Sequence, residues 1–309
     1  MEIPPFQEEP VTLDLIHECT IDTWELSGRG AEGLENLLEA GHVLYCPRLG
    51  FPFEASERVF LSDRWADGKA KHISFRGLAF PLSGARGGKD ASAGLKALLT
   101  RYAEASSRLV EALFPRYAEF LRRGFTSYRT AAVAGRRTSW RKDDSRLHVD
   151  SFPSNPTGGA RLLRVFSNVN PQGLPRVWRV GEPFECFAAK FFPKTSKPWP
   201  GSAWVLETLG LTKSRRSLYD HYMGQLHDRV KADLGYQRSA PQQSFAFPAG
   251  STWLMFSDQV LHAAMAGQFL LEQTFYLDPD RLIRPELAPL RILERLAGRA
   301  LVESRAGVR

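Results

Sequence analysis

Apolar residues recur along this chain with two periods. Over 91–120, Leu95, Leu98, Leu99, Tyr102, Leu109, Leu113, Tyr117 and Phe120 return at three- and four-residue steps, which predicts an amphipathic helix. Pro115 should kink or split it. A second helix is expected over 214–234, where Leu218, Tyr222, Leu226, Val230 and Leu234 fall at four-residue steps. Shorter helices are expected at 31–41, stopped by Gly41, at 182–192, and over the basic stretch 284–302. Between them, 42–47, 126–133, 160–168, 176–180, 243–247, 252–256 and 269–277 read as strands, with weaker hints at 58–61 and 73–75. Within 160–168, Leu162, Arg164, Phe166 and Asn168 share one face. Residues 1–30 show little periodicity and are expected to wrap the surface. Glycine and proline mark turns at 153–159 and 248–250. Many short strands joined by such turns point to an α+β chain whose mostly β core is a barrel or jelly roll with flanking helices.

Nothing repeats, and no boundary stands out between 125 and 280. The expected organisation is a single domain over 1–309, with 1–125 as helical and strand support, 126–280 as core and 281–309 as a C-terminal helix. Hydrophobic content of 43% and charged content of 24% describe an ordinary globular chain. No apolar run is long enough to span a bilayer. The first ten residues are acidic and proline-rich, without the basic and apolar regions of a signal peptide. Cys19, Cys46 and Cys186 are far apart, which disfavours a zinc ribbon and fits a reducing compartment. The expected location is the cytoplasm. A net charge of +7 and a pI near 9.4 suit an anionic partner, or solubility alone. Basic residues are not interleaved with aromatics, so nucleic acid is not expected.

The candidate chemistry centres on His148-Val149-Asp150. In an extended chain, His148 and Asp150 point to one side. With His262 they would form a two-histidine, one-carboxylate set of the kind that suits non-haem Fe(II). The motif alone is weak, because a chain with 7 His and 34 acidic residues supplies about one His-x-acid match by chance. A half-buried strand with a hydrogen-bonded histidine is the plain alternative. His42, His221 and His227 are read as non-ligands. Asp258, four residues before His262, could compete as an oxygen ligand, or could orient the ligands along with Ser151 and Gln259. Arg136, Arg137, Arg141 and Lys142 lie in the polar loop 134–144, which is either a solvated loop or an anion clamp.

The stretch from Tyr128 to Leu277 resembles the double-stranded β-helix Fe(II)/2-oxoglutarate dioxygenases, and more narrowly the Kdo 3-hydroxylases of lipopolysaccharide synthesis. The resemblance is carried by Leu-His-Val-Asp-Ser-Phe-Pro-Ser-Asn-Pro at 147–156, Gly-Gly-Ala-Arg-Leu-Leu-Arg-Val-Phe-Ser-Asn-Val-Asn-Pro at 158–171 and Ser-Thr-Trp-Leu-Met-Phe-Ser-Asp-Gln-Val-Leu-His-Ala at 251–263. Leu-Glu-Gln-Thr-Phe-Tyr-Leu at 271–277 and Gly-His-Val-Leu-Tyr-Cys-Pro at 41–47 fit it too.

The resemblance implies His148, Asp150 and His262 as iron ligands, with 2-oxoglutarate and O2 as co-substrates and ascorbate helpful in vitro. It implies decarboxylation to succinate and hydroxylation at the deoxygenated C3 of Kdo joined to lipid A. One departure stands out. Many relatives place an arginine about ten residues after the distal histidine, to hold the far carboxylate of 2-oxoglutarate. Here that neighbourhood is Leu271-Glu272-Gln273-Thr274, without a basic residue. A buried carboxylate needs a partner, so Arg164 is expected in that role, with Ser145 supplying a hydroxyl and Arg161 as the fallback. Arg136, Arg137, Arg141 and Lys142 are expected to meet the carboxylate and phosphates of Kdo–lipid A. The basic C-terminal helix would rest on an anionic inner-membrane surface, cap the core, or make an oligomer contact. Two other readings stay open: the same chemistry on a protein or small molecule, and a non-catalytic jelly-roll binder of anionic glycan.

Overall fold

The predicted strands pair into two sheets. The computed structural model describes residues 13–26, 33–135, 138–199 and 201–303. Ten strands are found among them: β1 (Ile16–Glu18), β2 (Val43–Cys46), β3 (Ile73–Phe75), β4 (Arg122–Arg129), β5 (Arg161–Asn168), β6 (Arg176–Gly181), β7 (Gln242–Phe247), β8 (Thr252–Phe256), β9 (His262–Ala266) and β10 (Leu270–Leu277). The helices are α1 (Leu34–Glu39), α2 (Lys89–Leu113), α3 (Phe184–Phe191), α4 (Ser202–Thr208), α5 (Leu218–Ala232), α6 (Leu234–Ser239) and α7 (Pro289–Ala297). Seven strands form one sheet in the order β1-β2-β8-β5-β10-β4-β3, and three form a second in the order β7-β6-β9. Pairing is antiparallel except between β1 and β2. Three strands from the first 125 residues therefore belong to the large sheet, so that segment is woven into it rather than set beside it.

Period-two alternation sorts the side chains of the large sheet. Leu163, Val165, Leu254, Phe256, Leu271, Phe275 and Leu277 point outward into a core shared with the apolar stripe of α2. Phe166, Trp253, Met255 and Leu270 point inward and meet Trp178, Val180, Phe247 and Ala264 of the small sheet. The aromatic part of this interior is dense: Phe247 stacks on Trp253 at 4.0 Å, and Phe166 stacks on Trp253 at 5.5 Å. A third core lies on the far side of the small sheet, where Leu147, Val149, Leu261 and Ala263 pack with α3, α5 and α7.

Several expectations are corrected. Residues 58–61 form no strand; Ala55–Phe60 is a 3-10 helix opened by a capping box between Glu54 and Glu57. The long helix ends at Leu113 instead of running on to 120. Phe114, at φ −129° and ψ 66°, precedes Pro115, whose ring disfavours the helical region for the residue before it. The expected strand 126–133 lies earlier, over Arg122–Arg129. The helix at 284–302 contracts to α7. Its Leu290, Ile292 and Leu293 are buried, and its arginines are paired: Arg291 with Asp280 and Glu294, Arg295 with Glu185. It is a helix of the third core. Arg305 and Arg309, farther along the basic C-terminal segment, lie outside the described residues.

Candidate metal centre

His148 and His262 meet through their main chains. The two residues form an isolated antiparallel bridge, with His148 N donating to His262 O (2.9 Å) and His262 N to His148 O (2.8 Å). This extends the small sheet past β9 and places both imidazoles at one end of the intersheet space. Asp150 is tied in by its own N–H, which donates to Ser257 O at 2.8 Å. The ligating atoms of His148, Asp150 and His262 all lie within 4.8 Å of one another.

Each imidazole is oriented by a local carbonyl. His148 Nδ1 lies 2.7 Å from Arg146 O, and His262 Nδ1 lies 2.8 Å from Val260 O. A carbonyl only accepts, so Nδ1 carries the proton and Nε2 keeps its lone pair, the state in which histidine ligates a metal. Burial pulls both histidines below their ordinary pKa, which holds them neutral. Trp178 stacks on His262 with 5.2 Å between centroids and 21° between planes. Burial opposes the charge on Asp150, but the Arg164 guanidinium beside it outweighs that, and the carboxyl stays below its usual range.

Around this trio lies a charged network. Arg164 Nη1 is 3.1 Å from both Asp150 Oδ2 and Glu272 Oε1. Arg129 Nη2 is 2.9 Å from Glu272 Oε2, and Lys71 Nζ is 2.8 Å from Asp144 Oδ1. The cavity holding the trio is also lined by Arg129, Asp144, Arg164, Arg176, Trp178 and Glu272. Three guanidiniums thus face three carboxylates. A divalent cation arriving with a dianionic co-substrate preserves that balance. Two buried donors here, Arg164 Nε and Trp178 Nε1, have no hydrogen-bond partner, and Asp150 Oδ2 meets the Arg164 guanidinium as an ion pair. Two open donors beside a buried carboxylate and two imidazoles match a metal ion next to a carboxylate-bearing ligand.

The other expected residues divide. Arg164 reaches the cavity. Arg161 does not: it sits on the opposite face of β5, fully buried, with Nε 2.8 Å from Asp258 and its guanidinium over the Phe256 ring. The same pair removes Asp258 as an oxygen ligand, since its other oxygen accepts from Leu162 N. Gln259 also bonds Arg161, so neither it nor Asp258 is an outer partner of the trio. The Ser145 hydroxyl is committed to Asp143 at 2.6 Å. Arg141 pairs with Asp228 and lies over the Trp140 ring, while Lys142 lines a neighbouring cleft with Lys71 and Ser145. Arg136 and Arg137 lie outside the described residues. Sequence reasoning missed Arg129, Arg176, Trp178, Glu272 and Ser257. The one available signal was Glu272, the single charged residue of the strand 270–277.

A model of the 3-deoxy-D-manno-oct-2-ulosonic acid (Kdo) hydroxylase family matches residues 23–300. The crystal structure of the Kdo hydroxylase KdoO, a non-haem Fe(II) α-ketoglutarate-dependent dioxygenase, in complex with cobalt(II) is 47% identical, with a TM-score of 0.90 over 96% of this chain and 100% of that one. The complex of KdoO with α-ketoglutarate and Fe(III) is 46% identical, with a TM-score of 0.89 over 95% of this chain and 99% of that one. Comparison with curated proteins found no match. With the family matched over most of its length and the fold shared throughout, this chain belongs to the Kdo hydroxylase family.

Proposed function

We propose that this chain hydroxylates the 3-deoxy carbon of Kdo in Kdo–lipid A, using Fe(II), 2-oxoglutarate and O2. The observation that carries the reading is the trio itself: two imidazoles turned by carbonyls to offer Nε2, and one carboxylate kept ionised, all facing one cavity. His148, Asp150 and His262 would hold the iron, which, when bound with 2-oxoglutarate and O2, supplies the oxidising power to replace a C–H hydrogen by hydroxyl.

The chain's own residues position and insulate. Arg164 offsets the Asp150 charge and presents Nε to the far carboxylate of 2-oxoglutarate, with Arg176 and the Trp178 indole N–H beside it. Glu272, whose pKa burial raises but Arg164 and Arg129 pull below the ordinary value, fixes both guanidiniums from behind. It occupies the neighbourhood where many relatives carry their arginine, so the cation comes from β5 instead. We read the core as a double-stranded β-helix, and residues 1–309 as one dioxygenase domain.

The membrane part of the reading rests on a different surface from the C-terminal helix. No described helix is long and apolar enough to cross a bilayer. Around α4, Trp199 (85% exposed), Trp204 (60%), Leu209 and Leu211 face solvent, flanked by Lys197, Lys213, Arg215 and Arg216. Exposed tryptophans beside basic residues suit the interface of an anionic inner-membrane leaflet.

The test is turnover. Purified protein with Fe(II), ascorbate and 2-oxoglutarate should form succinate in step with addition of one oxygen to Kdo–lipid A. Succinate formation that ignores Kdo–lipid A would point to another substrate; none at all would leave a binding protein.

A further inference from the structure

Toward its β4 and β3 edge the large sheet carries a second set of cations that the metal centre does not use. In the strand register Arg164 stands opposite Thr274, and Arg122 opposite Tyr276. Residues two apart on a strand share a face, so Arg122 and Tyr276 lie on the side that carries the metal centre. At about 3.4 Å per residue and about 4.8 Å between strands, Arg122 stands roughly 12 Å from Arg164 along this face. Here a cleft of about 310 Å³ is lined by Arg76, Arg122, Arg123, Phe125, Asn155 and Tyr276. Lys213 stands beside it, its ammonium 4.9 Å from the Phe125 ring that Arg76 also covers at 5.0 Å. Arg122 covers Tyr276 at 5.5 Å.

What distinguishes this cluster is its charge. No carboxylate lines the cleft, and all four cations are exposed. Among the described residues none of the four has an acidic partner, unlike Arg141, Arg291 and Arg295. Burial and the neighbouring Arg76 push the Lys213 ammonium below its ordinary pKa. Like charges gathered without a counter-ion are costly unless an anion joins them. Thr157 lines both this cleft and a small cavity that borders Asp150.

We propose that this cleft binds a phosphate group of the lipid-linked substrate while its Kdo occupies the metal centre. The proposal rests on the reading of the chain as a hydroxylase of Kdo–lipid A. Guanidinium forks and an ammonium around an open cleft suit phosphate oxygens, and the aromatic floor suits the adjoining sugar face. The span from Arg164 to Arg122 sets the distance between the 2-oxoglutarate site and the phosphate.

The test compares wild type with the Arg122→Ala/Lys213→Ala double variant on two probes: Kdo–lipid A in detergent micelles, and the same lipid after phosphatase treatment. Binding is measured without 2-oxoglutarate, and KM separately. The double variant should bind the phosphorylated lipid about tenfold more weakly and show a matching rise in KM, while the treated lipid should bind both proteins alike. Equal losses on both lipids, or no loss on either, would overturn the assignment. Phosphatidylglycerol vesicles lacking Kdo–lipid A separate the other source of phosphate. If the double variant loses affinity for these vesicles, the cleft serves phospholipid headgroups and the proposal falls. Phosphate-dependent binding without hydroxylation would instead sink the catalytic reading and leave the cleft assigned.

Discussion

His148 and His262 hold each other in place through two backbone hydrogen bonds, at 2.9 and 2.8 Å, and each turns its ring on the carbonyl two residues before it. Ligand geometry is therefore set by main chain, and the side chains are free for the metal. His148→Ala and His262→Ala should keep the bridge and the fold but lose the ion. Removing an outer partner of a metal ligand costs about 10–100-fold in affinity, so losing a ligand should cost more. Calorimetric titration with Co(II) should show at least a hundredfold weaker binding in each variant, with no succinate formed. Full activity in both would remove the iron assignment.

Two arginines three residues apart on β5 should behave differently. Arg164 joins Asp150 and Glu272 inside the cavity, whereas Arg161 joins Asp258 on the outer face. Arg164→Ala should raise the KM for 2-oxoglutarate by more than tenfold. Arg161→Ala should leave that constant within about twofold yet lower stability, because stripping one partner from a buried ion pair costs about 3–5 kcal/mol. Denaturant unfolding and steady-state kinetics on both variants decide it. A large KM effect from Arg161→Ala would mean that the anion site has been placed on the wrong face.

Much of this arrangement was legible because the strands alternate cleanly. In 160–168 the pattern placed Leu162, Arg164 and Phe166 on one face, and the register sets that face toward the cavity. His148-Val149-Asp150 was legible for the same reason: Val149 is buried among the helices while its two neighbours face inward. β9 was missed because His-Ala-Ala-Met-Ala lacks the β-branched residues that mark strands; its pairing to β6 overrides weak local preference. Glu272 was noticed only as a missing arginine. Its role depends on Arg129 and Arg164 arriving from two other strands, which no local window contains. Arg161 was misjudged as a fallback because sequence gives the face of a strand residue but not the Asp258 waiting there.

Acid should weaken the fold through His72. Its Nδ1 is buried without a hydrogen bond, and burial, with Arg129 nearby, lowers its pKa to about 4. The unfolded chain takes up this proton near pH 6.5 and the folded one near 4, so the unfolded state binds more protons between those values. The contribution is complete above about pH 6.5 and drains away as pH falls toward about 4, by up to roughly 3 kcal/mol. His72→Phe should flatten the stability profile across that window. Urea midpoints measured at steps from pH 7 to pH 4 check this; parallel profiles for wild type and variant would show that His72 does not titrate in this way.

The two candidate membrane surfaces make opposite predictions. Trp199 and Trp204 are open to solvent, while the apolar stripe of α7 is buried and Arg295 is held by Glu185. Burying a large apolar side chain fully contributes about 1.5–3 kcal/mol, and partial insertion of two indoles should contribute about 2 kcal/mol in all. Trp199→Ala/Trp204→Ala should therefore bind phosphatidylglycerol vesicles about thirtyfold more weakly in co-sedimentation. Arg295→Ala should leave vesicle binding unchanged, since that guanidinium already has its carboxylate. High salt should weaken wild-type binding through the basic residues beside α4, and the double variant should keep that salt dependence while losing the apolar part. If Arg295→Ala releases the protein and the tryptophan variant does not, the membrane lies against the C-terminal helix after all.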